Sequence, residues 1–122
     1  DSKLDLCSGL YFVDKGYVTP CIMKGNIFYT DYPENRLFEV TTFASGFSIV
    51  SKKAIEILAP LKPFNRIEKD STKYGEDVSF CRVAAEMGFK IWCDSNIKIG
   101  HLRFKTLDET SAIYWASEKF QL

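Results

Sequence analysis

The chain has no net charge to offer a polyanion: 16 Lys and Arg balance 16 Asp and Glu across 122 residues. That removes the usual electrostatic case for a nucleic acid or an anionic lipid surface as the main partner. It also has no apolar run near the ~18–20 residues that span a bilayer, so no transmembrane segment is expected. Residues 1–5 do not read as a secretory leader. Cys7, Cys21, Cys81 and Cys93 include no C-x-x-C pair, which argues against zinc. Cys81 and Cys93 sit in apolar runs and read as buried small hydrophobes. The expected compartment is therefore reducing and cytoplasmic rather than one that builds a disulfide framework. There is one histidine, His101, and no Asp-x-Asp, Gly-rich phosphate loop, internal repeat or low-complexity tract.

What is present is enough for one small domain over residues 1–122 with a core of its own. Apolar residues make up 46% and charged residues 26%, which excludes a disordered chain. Ten Phe, six Tyr and two Trp are many for this length. They fit a bulky core, a sugar-stacking surface or a partner-facing patch, with the core weighing most.

Local patterns place the elements. Residues 4–13, LDLCSGLYFV, read as a strand, with Gly9 marking a bulge or a close backbone approach. CIMKGNIFYT reads as a hairpin about Gly25-Asn26, and DYPENR as a loop. Residues 37–51 are strand-like around the small pair Ser45-Gly46. Ser51 is placed to cap a helix over 52–58, which Pro60 and Pro63 should stop.

A polar loop over 64–75 leads to a second helix at about 77–87, with Gly88 as its C-terminal cap. Ser79, Arg82 and Glu86 form one narrow polar stripe on it, so the helix should be largely enclosed. Asp77 should then project roughly opposite the stripe, toward protein or a cleft. Strands are expected over 89–93 and 97–101, and a third helix over 107–120 behind a Thr106–Glu109 capping box. Strands mixed with helices indicate an α/β domain of mixed α+β character.

The stretch YGEDVSFCRVAAEMGFKIWCDS, residues 74–95, opens a helix with two acids, Glu76 and Asp77. An apolar helix containing Arg82 follows, then Gly88-Phe89, the strand Lys90 to Cys93, the small turn Asp94-Ser95, and His101 after Gly100. In order and spacing this resembles the acceptor-side, C-terminal half of a GT-A glycosyltransferase domain of the family 2 type. FASGFSIVSKKAIEIL resembles that family's glycine-containing strand and the helix after it, and LDLCSGLYF an earlier core strand more loosely. The likeness covers residues 41–101 well and 4–13 loosely. Residues 14–40 and the tail lie outside it.

The resemblance implies a partial GT-A domain, a mixed sheet with about three helices, lacking its N-terminal nucleotide-binding half. It implies transfer of a sugar from a nucleotide-sugar donor to a glycan or other hydroxyl acceptor with inversion. A divalent metal, Mn or Mg, would serve the full-length enzyme, with none bound tightly by this chain alone. By the same resemblance Asp77 is the catalytic base and Glu76, Ser45, Gly46 and Tyr74 shape the substrate site. His101 would add a metal ligand. Tyr74, Phe47 and Trp92 are the candidates for stacking on a sugar.

The 122 residues alone should be inactive. With a strand edge and an apolar face bared, they should form homo-oligomers or swap elements. The bland readings stand beside these. Glu76 and Asp77 suit the cap and the dipole of a helix N-terminus without any substrate, and Ser45-Gly46 suits a bulge. The alternative function is a non-catalytic module that holds a glycan or a protein and kept the fold without donor binding.

Overall fold

A computed structural model describes residues 4–14, 16–65, 68–69, 72–73 and 75–102. The expected helix over 107–120, with its capping box, lies outside the described residues. Strands β1 (Leu6–Leu10), β2 (Phe12–Asp14), β3 (Val18–Pro20), β4 (Ile22–Lys24) and β5 (Ile27–Phe28) come first. Then follow β6 (Leu37–Val40), β7 (Thr42–Phe43), a 3-10 turn (Ser45–Phe47) and β8 (Ser48–Val50). Helix α1 (Lys52–Leu58) runs into a second 3-10 turn (Ala59–Leu61). The short pair β9 (Glu68–Lys69) and β10 (Thr72–Lys73) precedes helix α2 (Glu76–Glu86) and the long strand β11 (Ile91–Lys98).

The main sheet has four strands in the order β6-β11-β1-β8. β1 and β11 run parallel and both outer pairs are antiparallel, so the sheet is mixed. β5-β4-β7 form a second, three-stranded sheet, and β2-β3 a two-stranded ribbon. Mixed strands with two helices among the described residues agree with the α+β character expected of the pattern. No helix among the described residues is long and apolar enough to cross a membrane.

The local signals that depend on neighbours in sequence appear where they were read. Ser51 caps α1, its Oγ accepting from the Ala54 amide at 3.1 Å. The β4–β5 hairpin turns through Gly25 at φ +67°, a conformation that costs glycine little. Gly9 marks a real irregularity. It pairs with Asp94, but the next residue, Leu10, pairs with Lys98, so β11 bulges between them. A Cβ at position 9 would stand 3.0 Å from both Ile97 Cγ2 and Phe47 Cδ1.

Four expectations need correction. The strand expected over 4–13 is two, β1 and β2, broken at Tyr11. The strands expected over 89–93 and 97–101 are one, β11, and Asp94-Ser95 lies inside it rather than in a turn. The small polar residues stay in the strand because Ser95 is satisfied sideways. Its Oγ donates toward the carbonyls of Pro33 (2.7 Å) and Arg36 (3.0 Å), and its amide donates to Arg36 O. The loop expected over 64–75 holds the short antiparallel pair β9–β10, whereas α1 ends at Leu58, ahead of Pro60, as expected, with Pro60 in the separate 3-10 segment that follows.

The fourth correction is Ser79, expected on the wet stripe of α2 and found fully buried. Its hydroxyl donates to the Asn65 carbonyl, so the polar group is not wasted in the interior. Solvent instead reaches Ala85, Glu86 and Met87, and α2 is less enclosed than its composition suggested.

The core joins Leu6, Leu10, Ile91, Cys93, Phe38 and Val40 of the main sheet to Ala54 and Leu58 of α1. Phe80, Cys81 and Ala84 of α2, with Ile22 and Phe43, complete it. Phe80 stacks between Phe43 and Phe64, and Tyr29 and Tyr32 pack on Phe38, so much of the aromatic content is core. Strand alternation sends the row Ile49–Cys7–Trp92–Glu39 to the other face. There Ile49 is 66% exposed. Two substitutions should separate the faces in denaturant titrations. Leu6→Ala should cost roughly 2–5 kcal/mol as a core truncation. Ile49→Ala should stay within about 0.5 kcal/mol, as surface changes do.

Candidate active site

Helix α2 is held against β7 by core contacts near its start. Phe80 stacks on Phe43 with ring centroids 6.3 Å apart, and the Cys81 thiol reaches the Phe43 carbonyl at 3.7 Å. The chain leaving β7 enters the Ser45–Phe47 turn immediately, so that turn lies beside the first turn of α2. There Ser45 Oγ donates to Asp77 Oδ1 at 2.6 Å. Residues 32 positions apart in sequence are thus joined at their polar atoms.

Neither acid caps the helix, which corrects that part of the bland reading. The N-cap is Gly75, with no side-chain cap, and Glu76 and Asp77 occupy the first turn. There the helix dipole favours negative charge.

Both acids line a cavity of about 380 Å³. Val13, Met23 and Phe28, with Cys21, give it apolar lining. Glu76 is exposed and Asp77 half-buried, so the two carboxylates meet different environments across one peptide bond.

Gly46, the other half of the small pair, donates its N–H to the Tyr11 hydroxyl at 2.9 Å. The approach is close: a Cβ on Gly46 would lie 2.6 Å from the phenol oxygen. The Tyr11 ring meets the His101 ring edge-on, with centroids 5.8 Å apart. His101 Nδ1 lies 2.8 Å from the Phe12 carbonyl. A carbonyl only accepts, so Nδ1 carries a proton, and in the neutral ring it is Nε2 that presents a lone pair.

Ser45, Gly46, Asp77 and His101, all singled out from sequence, therefore form one run of contacts. Tyr11 is the member that sequence reasoning missed. It is one tyrosine of six, in a segment read as plain strand, and no local pattern marks it. Tyr74 lies outside the described residues. Trp92 lines a separate cavity of about 490 Å³ with Leu4, Ile57 and Met87. Phe47 packs near Gly9 and is 44% exposed.

The implied metal can be tested against these donors. The imidazole orientation suits ligation through Nε2, since a partner on Nδ1 fixes the ring. One nitrogen is a single ligand, however, and no group of three or more His, Cys, Asp or Glu among the described residues is placed to hold a metal. The described residues do not make a centre for the ion, and no chemical step is assigned through it.

Burial raises three neutral acids in and around the site. The Tyr11 phenol is pushed up to about 12, first by burial, with the Cys21 thiol and the Asp77 charge adding to it. Burial likewise lifts the Cys81 thiol to about 12 and the Cys93 thiol to about 11. All three are neutral in the native state, and their ordinary values are 10.0 and 9.0. Their contribution to stability is therefore complete below pH ~9 and is lost as pH rises through about 11–12. Melting temperatures followed by circular dichroism should be level between pH ~7 and ~9 and fall steadily above that. A level profile to pH ~12 would mean that these groups are not shielded from water.

No protein-family model and no curated protein matches the chain.

Proposed function

We propose that the chain is the acceptor-side part of an inverting glycosyltransferase of GT-A type. In this reading sequence outside these 122 residues supplies the half that binds the nucleotide-sugar donor. The observation that carries the reading is the Ser45–Asp77 hydrogen bond. It holds one carboxylate of an acidic pair, in its motif position, at the wall of a cavity of about 380 Å³. That is ligand-site size, with a mostly apolar wall and few polar groups.

Asp77 Oδ1 is occupied by the Ser45 hydroxyl. Oδ2 is the oxygen that takes the proton of the acceptor hydroxyl as that oxygen attacks the anomeric carbon. The new C–O bond forms as the bond to the diphosphate breaks on the opposite side, and the diphosphate leaves with the bonding pair. The configuration is inverted and one proton ends on Asp77. Glu76, more exposed on the same cavity wall, contacts the acceptor outside the reacting hydroxyl.

Nucleotide-sugar turnover by the parent polypeptide that contains residues 1–122 tests this. A panel of nucleotide sugars with glycan acceptors should release nucleoside diphosphate from at least one donor, and the isolated chain should release none. Glycan binding without turnover in the parent would instead make the chain a binding module.

A further inference from the structure

Tyr11 stands where three segments of the site meet, and the acid–base step above makes no use of it. Its carbonyl accepts from the Cys21 amide at 2.9 Å, and the Cys21 carbonyl accepts from the Ala44 amide at 3.2 Å. This backbone relay ends at the residue just before the Ser45–Phe47 turn. The phenol oxygen then takes the Gly46 amide directly, at 2.9 Å. Ser45, between those two anchor points, is the donor to Asp77.

The other side of Tyr11 is tied to the segment that carries His101. Its ring lies edge-on to the imidazole at an interplanar angle of 88°. The residues on either side of it accept from that segment too: Leu10 O from the Ile99 amide at 2.9 Å, and Phe12 O from His101 Nδ1 at 2.8 Å.

Hydrogen bonds weaken steeply as their angle degrades, so a short Ser45–Asp77 bond needs a turn that does not rotate. The turn is exposed at Ser45 and Gly46, and only Phe47 at its far end packs against β1, near Gly9. The phenol is what holds its middle residue.

We propose that Tyr11 is a positioning residue that sets the Ser45–Asp77 pair through its hydroxyl and the His101 imidazole through its ring. One side chain thereby fixes the relation between the carboxylate and the imidazole. Its catalytic consequence rests on the transferase reading, but the positional role does not.

Nuclear magnetic resonance on the labelled chain tests it. Tyr11→Phe keeps the ring and removes the hydroxyl. The Gly46 amide should then exchange roughly 5-fold faster, the factor that a lost bond of about 1 kcal/mol corresponds to. The Asp77 carboxyl carbon should move in the direction that Ser45→Ala moves it, while the His101 ring signals stay in place. Tyr11→Leu should move the His101 signals as well.

The decisive variant combines Ser45→Ala with Tyr11→Phe. If Tyr11 acts through Ser45, the double variant shifts the Asp77 carbon no further than Ser45→Ala alone. An unchanged Asp77 signal in Tyr11→Phe, or additive shifts in the double variant, would overturn the proposal and leave Tyr11 as packing. If Tyr11→Phe does not fold, 3-fluorotyrosine at position 11 weakens the phenol as an acceptor without removing it. The Gly46 amide should then move partway, and no movement again overturns the proposal. In a working parent enzyme, Tyr11→Phe should lower kcat with the acceptor KM unchanged. Failure of the transferase reading would leave the resonance result standing.

Discussion

On the transferase reading, Asp77→Asn in the parent polypeptide is expected to lower turnover by roughly 10²- to 10⁴-fold, the usual range for loss of a general base. The substitution is nearly isosteric. The amide it introduces keeps an oxygen that can accept from Ser45 Oγ, so the 2.6 Å contact has a replacement and the turn stays in place. What disappears is the site for the acceptor proton. Stability should therefore change little, and donor binding should survive. Ser45→Ala is the companion variant. It leaves the carboxylate but removes a bond to a charged group, worth about 1.5–3 kcal/mol. If all of that appeared in the transition state, the fall would be roughly 10- to 150-fold. Asp77→Asn retaining more than a tenth of wild-type turnover would remove Asp77 from the role of base, whatever the fold.

Gly46→Ala should be the most damaging small substitution in the site. The new methyl carbon would meet the Tyr11 phenol at 2.6 Å from its oxygen and 2.8 Å from Cζ. Contacts that short force a displacement. Overpacking costs about 1–3 kcal/mol, and losing the Gly46 N–H···Oη bond adds about 1 kcal/mol. At about 4 °C per kcal/mol for a domain of this size, the melting temperature should fall by roughly 8–16 °C. The backbone at Gly46 is not left-handed, so no backbone strain adds to this. Shrinking Tyr11 should relieve it: Gly46→Ala with Tyr11→Ala should be less destabilised than the sum of the two single variants. Additive losses would mean that the two residues are not in contact in solution.

Stability and site geometry depend on different parts of the chain. Leu6, Phe80, Cys81 and Ile91 carry the core, while Ser45, Gly46 and Tyr11 lie at its rim and are held by hydrogen bonds. Core truncations should therefore unfold the chain. Rim substitutions such as Tyr11→Phe should disorder the site with the fold intact.

Features that depend on neighbours in sequence were readable without coordinates. Ser51 as a cap, the Gly25-Asn26 turn, Gly9 as an irregularity and the acidic opening of α2 are each set within a few residues. At that range propensity, turn chemistry and periodicity act directly. Cys81 and Cys93 were likewise legible as buried, because apolar runs must go inside. The polar positions were not legible in this way. Ser79 looked solvent-facing until Asn65 offered its carbonyl, and Asp94-Ser95 looked like a turn until Pro33 and Arg36 took up Ser95. A small polar residue is compatible with water or with a buried partner, and only the partner decides.

The site divides along the same line. The sequence alone singled out Ser45, Gly46, Asp77 and His101 as residues, and their order along the chain. Tertiary structure alone decided that Ser45 binds Asp77, that Gly46 binds Tyr11, and that His101 meets Tyr11 and Phe12. The hydrogen bonds among them span 32, 35 and 89 residues of sequence. No local periodicity reaches that far: they exist because the core packs α2 on β7 and β1 beside β11, which brings the polar ends of all four elements to one rim.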